Sequence, residues 1–95
     1  METYSAKNAK DIAELWADKG TVKRAVTRFA EATGLPYRTV TGYISRGYFP
    51  VSSWERILEA ARRDKKKVAQ EKPGGKSVNV PVTPDLLYSI WLKNT

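Results

Sequence analysis

The sequence predicts an all-α protein: a compact bundle of four to five helices, followed by a short C-terminal strand and helix. Three observations predict it. Apolar residues recur at helical spacing in four successive stretches before residue 68. Glycines that suit helix ends stand at Gly20, Gly34 and Gly47. Strand-like alternation is confined to Val78, Val80 and Val82, and Pro81 restricts that segment to a sheet edge.

The elements follow in order. Residues 1–8 are polar and terminal. Ile12, Leu15 and Trp16 share one face of a first helix expected from Ala9 to Lys19, with Gly20 as its stop. Thr21 is the expected N-cap of a second helix reaching Thr33, with Val22, Val26, Phe29 and Thr33 on one stripe and Ala25 and Ala30 beside it. A third helix is expected from Pro36 to Arg46, since proline loses no hydrogen bond in a first turn. Ser52 and Glu55 read as a capping box for a fourth helix. Its inner face is Trp54, Ile57, Leu58 and Ala61, and its basic end runs to Lys67. Thr83, Pro84 and Asp85 open a last helix carrying Leu86, Leu87, Ile90 and Trp91.

The spacing of the second and third helices is the most informative feature. Ala30 stands four residues before Gly34, Val40 six after it and Tyr43 nine after it. Gly34 suits the left-handed turn, Ala30 permits a close crossing, and Leu35, Val40, Tyr43 and Ile44 would wedge the helices at a fixed angle. That is the geometry of a helix-turn-helix, whose second helix enters the DNA major groove. Through Ala30, Gly34, Leu35, Val40 and Tyr43 the stretch resembles the helix-turn-helix of the lambda-repressor and Cro-like family of phage and bacterial regulators. The tail of the motif, SRGYFPVSSWERILEAARR, is also similar to small phage regulators with an Arg-Gly-aromatic-Pro turn before a Trp-bearing helix. The likeness covers roughly residues 10–64.

The resemblance implies that bases are read from the start of the third helix and one turn later, where this chain has Tyr37, Arg38, Thr41 and Gly42. Arg38 offers the fork that fits guanine O6 and N7. Thr41 offers a methyl and a hydroxyl, and Tyr37 a ring and a phenol. Many family members carry Gln or Ser where this chain has Tyr37 and Arg38, so the site read would differ. Gly42 has two readings, close approach to the groove floor or crowding between helices. Lys23, Arg24, Arg28, Arg46 and Tyr48 are the candidate phosphate contacts, which position a protein on DNA without reading sequence. Trp16, Phe29, Trp54, Ile57 and Leu58 are assigned to the core. Phe49 is placed there too, against a contact with a partner.

Charge agrees with this partner. The chain has 17 Lys+Arg against 10 Asp+Glu, a net +7. Residues 1–18 carry net −2, residues 19–64 net +5 and residues 65–95 net +4, so the positive charge begins near the motif. There is no cysteine and no histidine, which removes disulfides, thiolate metal sites and the commonest general base. No nucleophile–base–orienter set is visible, and the carboxylates are scattered. A non-enzyme without metal or cofactor is expected, in the cytoplasm and associated with the nucleoid. No apolar run is long enough for a membrane span, and no leader pattern precedes the first helix.

The expected organisation is a DNA-binding domain over residues 1–67, a flexible basic linker over 68–77 and an association element over 78–95. Val80, Val82, Leu87, Ile90 and Trp91 are the expected association residues. Their occupant is expected to be a second copy, giving a homodimer, with a lid on the chain's own domain as the rival. The expected function is sequence-specific binding of double-stranded DNA by a phage- or prophage-type repressor or activator. RNA polymerase or another regulator is a further expected partner. The alternative is an antitoxin-like or recruiting factor whose tail holds another protein while DNA binding serves autoregulation.

Overall fold

The computed structural model describes residues 3–17, 24–72 and 74–95. In chain order the elements are β1 (Thr3–Tyr4), α1 (Ala9–Ala13) with a 3-10 turn over Glu14–Trp16, α2 (Ala25–Thr33), α3 (Tyr37–Arg46), α4 (Val51–Arg63), β2 (Lys67–Glu71), β3 (Ser77–Pro81) and α5 (Pro84–Asn94). The fold is mainly helical, but not all-α. The three strands form one antiparallel sheet in the order β1-β2-β3.

Much of the expected flexible linker over 68–77 is the central strand β2, which forms a hairpin with the edge strand β3. Val68 pairs with Val80, Ala69 with Asn79 and Gln70 with Val78. Gly74 and Gly75, at φ 96° and 81°, take the left-handed conformation that lets the chain reverse. Val68 and Gln70 are buried on the inner face of β2, while Lys67 and Glu71 point to solvent. The basic segment therefore has a structural use: its charges line the outside of a strand.

Helix boundaries moved for local reasons. The first helix tightens to a 3-10 turn ending at Trp16; Lys19, Gly20, Thr21 and Val22 lie outside the described residues. Helix α4 starts at Val51 with Pro50 as its N-cap, so the Ser52–Glu55 capping box does not form. Instead the Ser53 hydroxyl donates to the Pro50 carbonyl at 2.7 Å. The helix stops at Arg63, and Lys65, with φ 54°, turns the chain into β2. At α5 the expected start holds: Thr83 accepts from the Leu86 N–H, Pro84 is the first residue and Asp85 lies in the first turn.

A single buried cluster spans the described chain. It joins Ala9, Ile12 and Trp16 to Phe29, Val40, Phe49 and Ile57, and then to Val68, Val82, Leu86, Leu87 and Ile90. Phe29 lies at its aromatic centre, edge-on to Trp16 at 5.1 Å and tilted against Phe49 at 5.5 Å. Trp54 and Leu58, expected in the core, are only partly buried against it. The C-terminal segment is no separate module. Leu87 and Ile90, expected to face a partner, are each 1% exposed because α5 closes over the same core as the helices before it. That burial satisfies the apolar surface of the short helix inside its own chain.

Candidate nucleic-acid interface

Two left-handed glycines frame α3. Gly34, at φ 73°, ends α2 and donates its N–H to the Ala30 carbonyl at 2.9 Å. Gly47, at φ 90°, ends α3 and donates to Tyr43 at 2.9 Å. Between α2 and α3 the chain runs extended through Pro36, and the Val40 N–H returns to the Pro36 carbonyl at 3.1 Å. The Thr33 hydroxyl donates back to the Phe29 carbonyl at 2.8 Å, and the Leu35 N–H reaches its oxygen at 3.4 Å. The turn between the helices is thus held by short local bonds.

Helix α4 braces this turn, a role that sequence reasoning missed. Arg63 donates from Nη2 to the Ala32 carbonyl at 2.9 Å, occupying an acceptor that the end of α2 leaves unpaired. Arg56 brings Nη1 within 3.3 Å of where a Cβ on Gly34 would lie. The two guanidiniums stand seven residues apart, two turns along one face of α4, and that spacing was the available signal. Asp64 completes the brace, paired with Arg63 at 3.3 Å and accepting the Trp16 indole N–H at 2.9 Å. The hydrogen bond from Arg63, and then that from Trp16, hold the Asp64 carboxyl below its ordinary range.

On α3, Val40 is fully buried and Tyr43 and Ile44 pack partly against the core. The opposite stripe is open. Tyr37 is 56% exposed, Arg38 and Ser45 are exposed, and Thr41 and Gly42 are half-buried. Residues 37, 38, 41 and 45 fall on one side of a helix, so three of the expected base-reading side chains lie together. Ser45 belongs with them, and its place one turn after Thr41 would have found it. The Thr41 hydroxyl donates to the Arg38 carbonyl at 2.9 Å. Its methyl and its acceptor lone pairs remain available.

Gly42 is not a crowded position. A Cβ built there meets nothing within 4 Å, so tight packing between helices does not explain the glycine.

The candidate phosphate contacts spread out. Arg46 is exposed at the end of α3, Tyr48 is half-buried in the next turn, and Arg24 is exposed at the start of α2. Arg28 is exposed but lines a depression with Trp16, Arg63, Asp64 and Lys66, whereas Thr27 and Glu31 share one with Leu35, Pro36 and Tyr37. Thr27 is therefore the α2 residue nearer the open stripe of α3, and Arg28 faces another way. Lys23 lies outside the described residues. Of the expected association residues, Val82, Leu87 and Ile90 are buried, and Val80 and Trp91 are half-buried. The exposed apolar side chains of α5 are Tyr88 and Leu92. Among the described residues no group of acids could hold a metal ion, and no helix is long and apolar enough to cross a membrane. Compared with known proteins, the chain matches no family model, no curated protein and no solved structure.

Proposed function

We propose that α2 and α3 act as a helix-turn-helix and that α3 enters the major groove of double-stranded DNA. The protein is then a sequence-specific transcriptional regulator, a repressor or activator of the phage or prophage kind. The observation that carries this reading is the open stripe of α3. It presents Tyr37, Arg38, Thr41 and Ser45 on a helix whose other side is anchored by Val40. No carboxylate occurs from Ala32 to Trp54, so α3 itself carries none to repel phosphate, although the exposed Glu31 of α2 borders the depression beside Tyr37.

Arg38 is assigned to a guanine edge through its bidentate fork, with Thr41 and Tyr37 contacting a thymine methyl, sugar or phosphate beside it. Arg46, Arg24 and Tyr48 are assigned to the phosphate backbone, where they set the register without reading sequence. The test begins with selection of bound sites from random duplex DNA, followed by competition binding on single-base variants of the selected site. Arg38→Ala should lose about 1–3 kcal/mol and relax discrimination at one base position. An unchanged preference at every position would remove Arg38 from the reading face. Failure to select any site would remove the function.

A further inference from the structure

The two edges of the sheet differ. Strand β1 is two residues long, whereas β3 has five, none charged: Ser77, Val78, Asn79, Val80 and Pro81. Natural edges are commonly kept apart by brevity, by charged side chains or by proline; β3 is neither short nor charged, and its one proline, Pro81, stands at its last position.

Hydrogen bonding fixes which backbone groups of β3 face out. The Ser5 N–H donates to the Ala69 carbonyl at 2.9 Å, so residues 69 and 71 of β2 turn their backbone groups toward β1. The Lys72 N–H donates to the Lys76 carbonyl at 2.8 Å, so residues 68, 70 and 72 turn theirs toward β3. These two bonds agree. Along β3, positions 78 and 80 face β2, while Ser77, Asn79 and Pro81 face away from the sheet. Among the described residues their outward backbone groups have no backbone partner. The outward row offers N–H groups from Ser77 and Asn79 and carbonyls from Ser77, Asn79 and Pro81. Pro81 stands where its missing N–H costs the hairpin nothing.

We propose that this edge pairs with the same edge of a second copy of the chain, antiparallel about a two-fold axis at Asn79. In that register Asn79 exchanges two hydrogen bonds with its counterpart. The Ser77 N–H of each copy donates to the Pro81 carbonyl of the other. The position that lacks a donor is used only as an acceptor, so both outward N–H groups of each copy are paired and only the Ser77 carbonyl is left to solvent. This register also overlaps all five strand residues; a shift by two in either direction overlaps only three, with Pro81 opposite Asn79 or opposite Gly75, whose φ of 81° is not strand geometry. Val78 of each copy then lies across from Val80 of the other, covering a valine that is 37% exposed in the single chain. The pairing stands on the sheet alone and holds whether or not α3 reads DNA.

The chain has no cysteine, so single cysteines report the register directly. Across a hydrogen-bonded antiparallel pair the Cα atoms lie about 5.5 Å apart, within disulfide reach. The two Ser77 positions would be four residues apart along the ladder, roughly 13 Å. Under mild oxidation full-length Asn79→Cys should form a disulfide-linked dimer, and Ser77→Cys should not. Sedimentation equilibrium of the wild-type chain should show a monomer–dimer equilibrium. Asn79→Lys should weaken it by up to about fivefold, because like charges then face each other across the axis. Helix content by circular dichroism should stay unchanged, since the Asn79 side chain is exposed. A wild-type monomer at all concentrations, or equal cross-linking of the two cysteine variants, overturns the proposal.

Discussion

Gly42 sets two demands against each other at one residue. A glycine inside a helix costs about 1 kcal/mol relative to alanine, and the space around this one would accept a methyl group. Gly42→Ala should therefore raise stability by about 0.5–1 kcal/mol in chemical denaturation. If α3 lies in the groove as proposed, the same variant should bind its selected site more weakly, because the added methyl stands on the side toward DNA. A gain in stability with undiminished binding would place Gly42 off the interface. Asp64 gives a second prediction at this scale. Its carboxyl is held below the ordinary range first by the Arg63 hydrogen bond and then by the Trp16 indole. A depressed folded pKa stabilises the fold above the unfolded value and loses that contribution as pH falls through the folded one. Asp64→Asn should thus unfold at lower urea than wild type near neutral pH, with the gap closing below about pH 4. A gap independent of pH would assign the effect to packing.

Among the elements, those announced by terminal chemistry were legible. Gly34 and Gly47 close α2 and α3 in the left-handed conformation expected of them, and Thr83-Pro84 opens α5. The open stripe of α3 was legible through Tyr37, Arg38 and Thr41, but Gly42 read equally as crowding until its surroundings were known. The hairpin was not legible. Only two side chains of β2 point inward, Val68 and Gln70, and one is polar, so the strand has no apolar alternation to reveal it. Its lysines and the Gly-Gly turn give the composition of a linker. The brace from α4 was hidden because Arg56 and Arg63 look like ordinary surface cations. Tryptophan also misled: Trp54 has the helical spacing of a core residue, yet its indole lies partly in solvent, donating to the Phe49 carbonyl at 2.8 Å. Phe29→Ala, which empties the aromatic centre, should cost about 3–5 kcal/mol in denaturant. Trp54→Ala should cost clearly less, and an equal cost would mean that α4 depends on this indole more than its exposure indicates.

At the scale of the molecule, one core replaces the expected division into a reading domain, a linker and an association element. Truncation after Gln70 would remove β3 and α5 together, stripping Val82, Leu86, Leu87 and Ile90 from the cluster that holds Ile12 and Phe29. The truncated chain should lose cooperative thermal unfolding and much of its helical circular dichroism. A shortened chain that melts sharply with native helix content would restore the separate tail. The last turn of α5 also reaches the beginning of the chain. Asn94 donates to the Lys7 carbonyl at 3.1 Å, a bond between residues 87 positions apart, and its side chain lies against Gly47, where a Cβ would meet Asn94 Oδ1 at 2.8 Å. During synthesis Lys7 is made 87 residues before Asn94. The helices before Lys67 can form as they appear, but the contact that closes the ring waits until α5 has been made. Loop closure over such a separation makes it a late and slow event. A nascent chain arrested before α5 would therefore display its half-built apolar cluster to chaperones, and the synthesis of α5, more than any local helix, would set the time at which this fold becomes native.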